Sequence, residues 1–111
     1  MAAEEIKKYQ VAYFGAKAGT YRAFIWLLRD DNTRIGGVLF HQNASTIPAN
    51  DSRLAAEGTI LCNLPCEDLP HVLDILRNEK PVFMEFVAGA ARQYAMIYTQ
   101  FEPIGPGDEM A

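Results

Sequence analysis

Only one stretch of this chain spaces its apolar residues for a helix. Leu69, Val72, Leu73 and Leu76 fall at i, i+3, i+4 and i+7, the repeat that lines one helical face. Glu67 and Asp68 suit the positive N-terminal end of that helix, Pro70 is tolerated because it lies near the first turn, and the segment Asn78 to Pro81 ends it. A helix over Cys66 to Glu79 is predicted. Nearly everything else that is apolar alternates or runs in short bursts, so the chain must fold as a sheet with a single helix packed on it.

The first burst runs from Ile6 to Phe14, where Tyr9, Val11 and Tyr13 alternate with Gln10, Ala12 and Phe14. Gly15 to Gly19 reads as a turn. Tyr21 to Leu28 is aromatic and β-branched, and Arg29-Asp30-Asp31-Asn32-Thr33 closes it with side chains that satisfy turn backbone. Arg34 to Gln42 resumes as the second arm of a hairpin, with Gly36 and Gly37 marking a bulge. Asn43 to Ser52 is a surface loop by composition, and Thr59-Ile60-Leu61-Cys62 supports a fourth strand over Glu57 to Asn63. After the helix, Val82 to Val87 and Arg92 to Glu102 flank the turn Ala88-Gly89-Ala90-Ala91, and Pro103 to Ala111 forms a loose tail.

The expected architecture is one α+β domain over residues 1–111, in the order β-β-β-β-α-β-β, with a mostly antiparallel and strongly curved, half-barrel sheet. A ferredoxin-like arrangement needs a helix between the first two strands, and Gly15 to Gly19 is too short for one.

Half the residues are apolar and 22% are charged, the balance of a chain that builds its own core. Ten basic against fourteen acidic residues leave a net charge of −4, which offers no general attraction to nucleic acid or anionic lipid. Met1 to Lys8 is polar and carries Glu4-Glu5, unlike a secretory signal, and no apolar run approaches the roughly 20 residues of a membrane helix. Two cysteines are too few for a disulfide framework. A soluble, cytoplasmic protein with reduced thiols is expected, with neither nucleic acid nor membrane as partner.

The chemistry-bearing residues form no motif. Cys62-Asn63-Leu64-Pro65-Cys66 would need about two more ligands to hold zinc, and only His41 and His71 exist. Cys62 therefore reads as a buried strand residue and Cys66 as an ordinary helix-start thiol, a redox role for Cys66 being the weaker alternative. His71 is placed on the solvent side of the helix. His41 ends a strand beside the long loop, where Ser45 and Asp51 are loop residues rather than a nucleophile and its orienting acid. Gly36-Gly37 and Gly105-Pro106-Gly107 lack the strand-to-helix context of a phosphate loop. Asn43-Ala44-Ser45 fits a glycosylation pattern that is irrelevant without export. No metal or cofactor is expected.

More informative is that the strands are apolar on both faces. Tyr21, Ala23, Ile25 and Leu27 oppose Phe24, Trp26 and Leu28; Val82, Met84 and Phe86 oppose Phe83 and Val87; Tyr94, Met96 and Tyr98 oppose Ala95, Ile97 and Phe101. One helix cannot cover both. The second cover is the sheet's own curvature, a ligand or a partner subunit, with self-association ranked first. Arg22, Glu85 and Arg92 interrupt these faces and are pocket candidates, although solvated edges account for them as well.

Leu76-Arg77-Asn78-Glu79-Lys80-Pro81-Val82, Phe101-Glu102-Pro103-Ile104-Gly105 with the acidic end, and the strand beginning Tyr21-Arg22-Ala23-Phe24 resemble small hypothetical proteins of bacterial integron gene cassettes. The likeness runs from about Tyr21 to Gly105. It implies a bacterial cytosolic accessory protein of a mobile gene pool, in a group whose members often look like oligomers or small binding proteins, and it carries no catalytic residue.

Function is not set by any of this. The leading expectation is a non-enzymatic module that binds a protein or a small molecule and self-associates, as a dimer first, with Trp26 and nearby tyrosines such as Tyr94 supplying contact area. The rival is a small enzyme or ligand cup in which Glu85, Arg92 and His41 converge, Glu85 and Arg92 being close enough on paired strands to touch. A toxin or antitoxin-like role follows from the resemblance alone.

Overall fold

The structure, a computed structural model, describes residues 3–18, 21–42, 59–88 and 93–101. Seven strands and one α-helix follow in the order β1 (Glu4–Ile6), β2 (Lys8–Ala18), β3 (Tyr21–Leu28), β4 (Arg34–His41), β5 (Ile60–Pro65), α1 (Leu69–Asn78), β6 (Val82–Ala88) and β7 (Gln93–Thr99). A 3₁₀ turn over Cys66–Asp68 leads into α1, so the predicted helix is present with its first turn wound more tightly. Pro70 sits in the first turn of α1, where its missing N–H costs nothing.

The strands form two sheets rather than one half-barrel. β1, β6 and β7 make an antiparallel three-stranded sheet, and β2, β3, β4 and β5 make a four-stranded one. The expected first strand, Ile6 to Phe14, is divided between them. Ile6 pairs with Val82 of β6, whereas Lys8 pairs with Leu28 of β3, so the chain changes sheets at Lys7, whose N–H bonds to the Leu28 carbonyl at 2.9 Å. Corners of this kind let one chain segment serve two packed sheets. β2 also continues to Ala18, so Gly15 to Gly19 is not the turn that the glycines suggested.

The second correction concerns direction. The pairings are mostly antiparallel, as expected, but β5 pairs with β4 in parallel, Gly36 beside Ile60 through His41 beside Pro65. A parallel neighbour requires the chain to return the length of the sheet between the two strands; the predicted loop Asn43 to Ser52 lies outside the described residues, as do the turn residues 89–92 and the tail from 102. β5 also starts later than expected, at Ile60 instead of Glu57, and β7 ends at Thr99 instead of Glu102.

The hairpin β3–β4 is as the sequence indicated. Thr33 donates its N–H and hydroxyl to Asp31 Oδ1 at 3.0 and 2.6 Å, and Asn32 adopts φ 71°, the left-handed region asparagine tolerates. The pairing slips by one residue between Leu27 and Leu28, beside the glycine pair read as a bulge.

Both sheets and the helix contribute to one core. Ala23, Ile25 and Leu27 of β3, Val38 and Phe40 of β4, Met84 and Phe86 of β6, Ala95 of β7 and Val72 of α1 are all buried in it, with Leu69, Leu73, Ile75 and Leu76 packed against it from the helix. Of the two apolar parities on β3 and β6, the one carrying Ala23, Ile25, Leu27, Val82, Met84 and Phe86 faces this core. Arg29 fastens the two sheets at the corner: its guanidinium donates to both carboxylate oxygens of Glu4 in β1 at 2.8 and 2.7 Å, and to the Arg34 carbonyl at 2.9 Å. The bidentate form is the geometry that makes an arginine pair specific.

Candidate functional site

The outward parity of the three-stranded sheet carries Phe83, Glu85 and Val87 on β6 and Tyr94, Met96 and Tyr98 on β7. The register sets Phe83 opposite Tyr98, Glu85 opposite Met96 and Val87 opposite Tyr94. Phe83 and Tyr98 stack with ring centroids 5.7 Å apart. Tyr98 reaches diagonally along the sheet and donates its hydroxyl to Glu85 Oε1 at 2.9 Å; that hydrogen bond, then desolvation and the negative charge, holds the phenol above its usual range. Glu85 is thus a satisfied carboxylate inside an apolar face rather than a solitary charge in a pocket. Phe101 stands fully exposed beyond the end of β7, and Tyr94 is 38% exposed. A shallow groove of about 650 Å³ lies between Ala3, Phe83, Tyr98, Thr99, Gln100 and Phe101.

Met96 occupies the position opposite Glu85, and Arg92 itself lies outside the described residues, as do Ser45 and Asp51. His41 belongs to the other sheet, at the end of β4. Its ring is 1% exposed and its Nε2 lies 2.8 Å from Oδ1 of Asn63 on β5. The two side chains share the outward parity of the parallel pair, and both are buried, so His41 ends its strand as expected and is a buried hydrogen-bonding residue there. Asn63 was the available signal: an amide inside the run Ile60 to Leu64 needs a polar partner.

Trp26 and Arg22 stand on the outer side of the four-stranded sheet. The Trp26 ring lies across Gly37, where a Cβ would come within 2.7 Å of Cε3 and Cζ3. Phe24 flanks it at 5.3 Å between centroids, and the Arg34 guanidinium covers it at 4.1 Å, a cation–π geometry. The indole's surface is therefore largely spent within its own chain. Arg22 is half-buried with its guanidinium 5.7 Å from the Tyr13 ring centroid. His71 is exposed on α1 as expected. Cys62 is buried, and burial, with a smaller contribution from the charge of Asp68, pushes its thiol up to about 11; Cys66 is half-buried and also unbridged. Among the described residues no three His, Cys, Asp or Glu side chains cluster as metal ligands would, and no helix is long and apolar enough to cross a membrane.

No family model, curated protein or solved structure matches this chain. The site has to be judged on its own chemistry. Stacked aromatics, a methionine and one internally satisfied carboxylate suit contact with another apolar surface.

Proposed function

We propose that the chain is a non-catalytic interaction module that self-associates through the outer face of β6 and β7, with a dimer as the assembly this face forms. The stacked Phe83–Tyr98 pair, continued by Met96, Val87 and the exposed Tyr94 on one side of one hairpin, carries the reading. Contiguous apolar patches on proteins mark sites of contact, and aromatic residues and methionine are the side chains enriched at the centre of such contacts. Glu85 does not oppose burial, since the Tyr98 hydroxyl already supplies it with a donor. The adjoining groove beside Phe101 is the place where a partner's side chain or a small apolar ligand would lodge. A cytoplasmic setting and an origin among integron cassette proteins belong to the same proposal, and the sequence resemblance supports them. A pocket of Glu85, Arg92 and His41 gains no support, because Glu85 and His41 stand on different sheets.

Light scattering across a concentration series tests the reading. The wild-type mass should exceed one chain and rise with concentration, and Met96→Lys, a change on the outer face, should weaken the association at least tenfold while leaving the thermal midpoint nearly unchanged. A wild-type monomer at every concentration, or a Met96→Lys protein that associates like wild type, would refute it.

A further inference from the structure

The two sheets have four edges, and they are not equivalent. β1 is three residues long and is tied to Arg29 through Glu4. β5 and β7 lie against each other. β2 is different: it spans eleven residues, and among the described residues its one paired neighbour is β3. The far side of an edge strand presents a row of backbone donors and acceptors to solvent, and proteins normally blunt it with charge, proline or a bulge. From Tyr9 to Tyr13 the sequence Tyr-Gln-Val-Ala-Tyr contains none of these, and the pairing with β3 is continuous from Lys8 to Tyr13. Nor is the strand's core-side parity fully covered here, since Val11 is 39% and Tyr13 59% exposed, while their partners Ile25 and Ala23 are completely buried.

From this edge we infer a second contact, separate from the apolar face: two copies of the chain pair β2 against β2, antiparallel across a twofold axis, and merge their four-stranded sheets into one. A second copy is the occupant that fits. An antiparallel edge is complementary to itself, so a twofold axis satisfies both chains at once. With the axis at Val11, Tyr9 of each copy stands opposite Tyr13 of the other, an aromatic cross-strand pair made twice. Charge also selects this place. The chain as a whole carries −4 and repels its own copies, whereas the Tyr9–Tyr13 stretch is neutral and is preceded by Lys7 and Lys8.

The edge and the β6–β7 face lie on different sheets, so removing one contact exposes the other. Wild type with both contacts assembles beyond a dimer. The decisive protein is Met96→Lys, in which the face is disabled: light scattering should give twice the chain mass, and hydrogen exchange of the Tyr9–Tyr13 amides not already bonded to β3 should slow at least tenfold as concentration rises through the association range. Adding Val11→Lys, a charge at a partly exposed position, should return a single-chain mass. If Met96→Lys is monomeric at every concentration while wild type associates, the edge inference is overturned and the face reading stands. If Met96→Lys keeps the wild-type mass and the β2 amides are protected, the face reading falls and the edge stands. Should the β2 amides exchange rapidly at all concentrations, the edge is open for an extended segment of some other protein, and pairing between copies is overturned. Exchange on wild type reads the same contact without any substitution.

Discussion

Gly36 offers the sharpest test of how the two sheets meet. A methyl group added there would run into the Ile60 carbonyl of β5 and stand 2.9 Å from Met84 Sδ of β6. Gly36 is the residue that pairs with Ile60 in the parallel ladder, and Met84 is completely buried, so the position joins β4 to its parallel neighbour and to the opposite sheet. Gly36→Ala gains about 0.4–1 kcal/mol by restricting the unfolded chain. Against this stand about 1–3 kcal/mol for overpacking and about 1 kcal/mol if a ladder hydrogen bond is strained open. The balance is a loss of about 2 kcal/mol, a fall in thermal midpoint of about 8 °C for a domain of this size.

Two other glycines calibrate the argument, since none of the three has a left-handed φ. At Gly37 the obstacle is the Trp26 ring rather than backbone, and that ring is half-buried on the outer side rather than locked in the core. Gly37→Ala should cost about 1 kcal/mol at most and shift Trp26 emission to the red as the indole leaves its cover under Arg34. Gly15 meets nothing within 4 Å, and Gly15→Ala should be neutral or stabilising by about 0.5 kcal/mol. Urea unfolding read by far-UV circular dichroism ranks the three. Should Gly36→Ala lie within about 0.5 kcal/mol of wild type, or Gly15→Ala prove the worst, the described meeting of β4, β5 and β6 is wrong.

Three further outcomes follow from named contacts. At pH 8 a thiol reagent should label one cysteine of the folded protein, Cys66, with Cys62 reacting only on unfolding; because the folded Cys62 pKa of about 11 lies above the ordinary 9.0, its contribution to stability is full below 9 and disappears as pH rises through 11. Asp31 is held below its usual value by the Thr33 hydroxyl and N–H, so the support it gives the β3–β4 turn is present above the unfolded pKa and is lost as pH falls through the lower folded value; Asp31→Ala should flatten this part of the acid limb, followed by the Thr33 amide shift in NMR. Replacing Arg29 by Leu removes the bidentate tie to Glu4, whose side chains are 40% and 39% exposed, so it should cost about 1 kcal/mol or less and lose most of its effect in high salt.

The faces of β3, β6 and β7, the helix and the β3–β4 turn were legible because each is written in local spacing: Ala23, Ile25 and Leu27 alternate with Phe24 and Trp26 whatever lies elsewhere. Two features were not local. The division of the first strand at Lys7 shows only as a change of parity, Ile6 lying at an even position and Tyr9, Val11 and Tyr13 at odd ones, and a parity change alone does not say that Ile6 and Lys8 join different sheets. The parallel pairing of β5 depends on a return of the chain, yet the runs Val38-Leu39-Phe40 and Ile60-Leu61-Cys62 were a usable signal, being apolar on both parities as strands covered on both faces are. His41 was read as the end of a strand, as it is, but its burial beside Asn63 was not legible because it depends on that parallel pairing. The register of the β6–β7 hairpin was not legible for a different reason: it is set by the turn, and here it places Met96 opposite Glu85.

The corner at Lys7 links the fold to both proposed contacts. Because the chain leaves the three-stranded sheet after Ile6 and enters the four-stranded one at Lys8, β1 ends after a single turn of the pleat and cannot extend alongside β2. Among the described residues the β6–β7 hairpin is packed on its inner side, through Val82, Met84 and Phe86, while Phe83, Val87 and Tyr94 are left outward. The same corner carries β2 to the rim of its sheet, with an edge that no other described strand flanks. Face and edge are two consequences of one bend, so a stable monomer would require both to be covered by other parts of this chain, and the 59% exposure of Tyr13 and 38% exposure of Tyr94 argue that they are not.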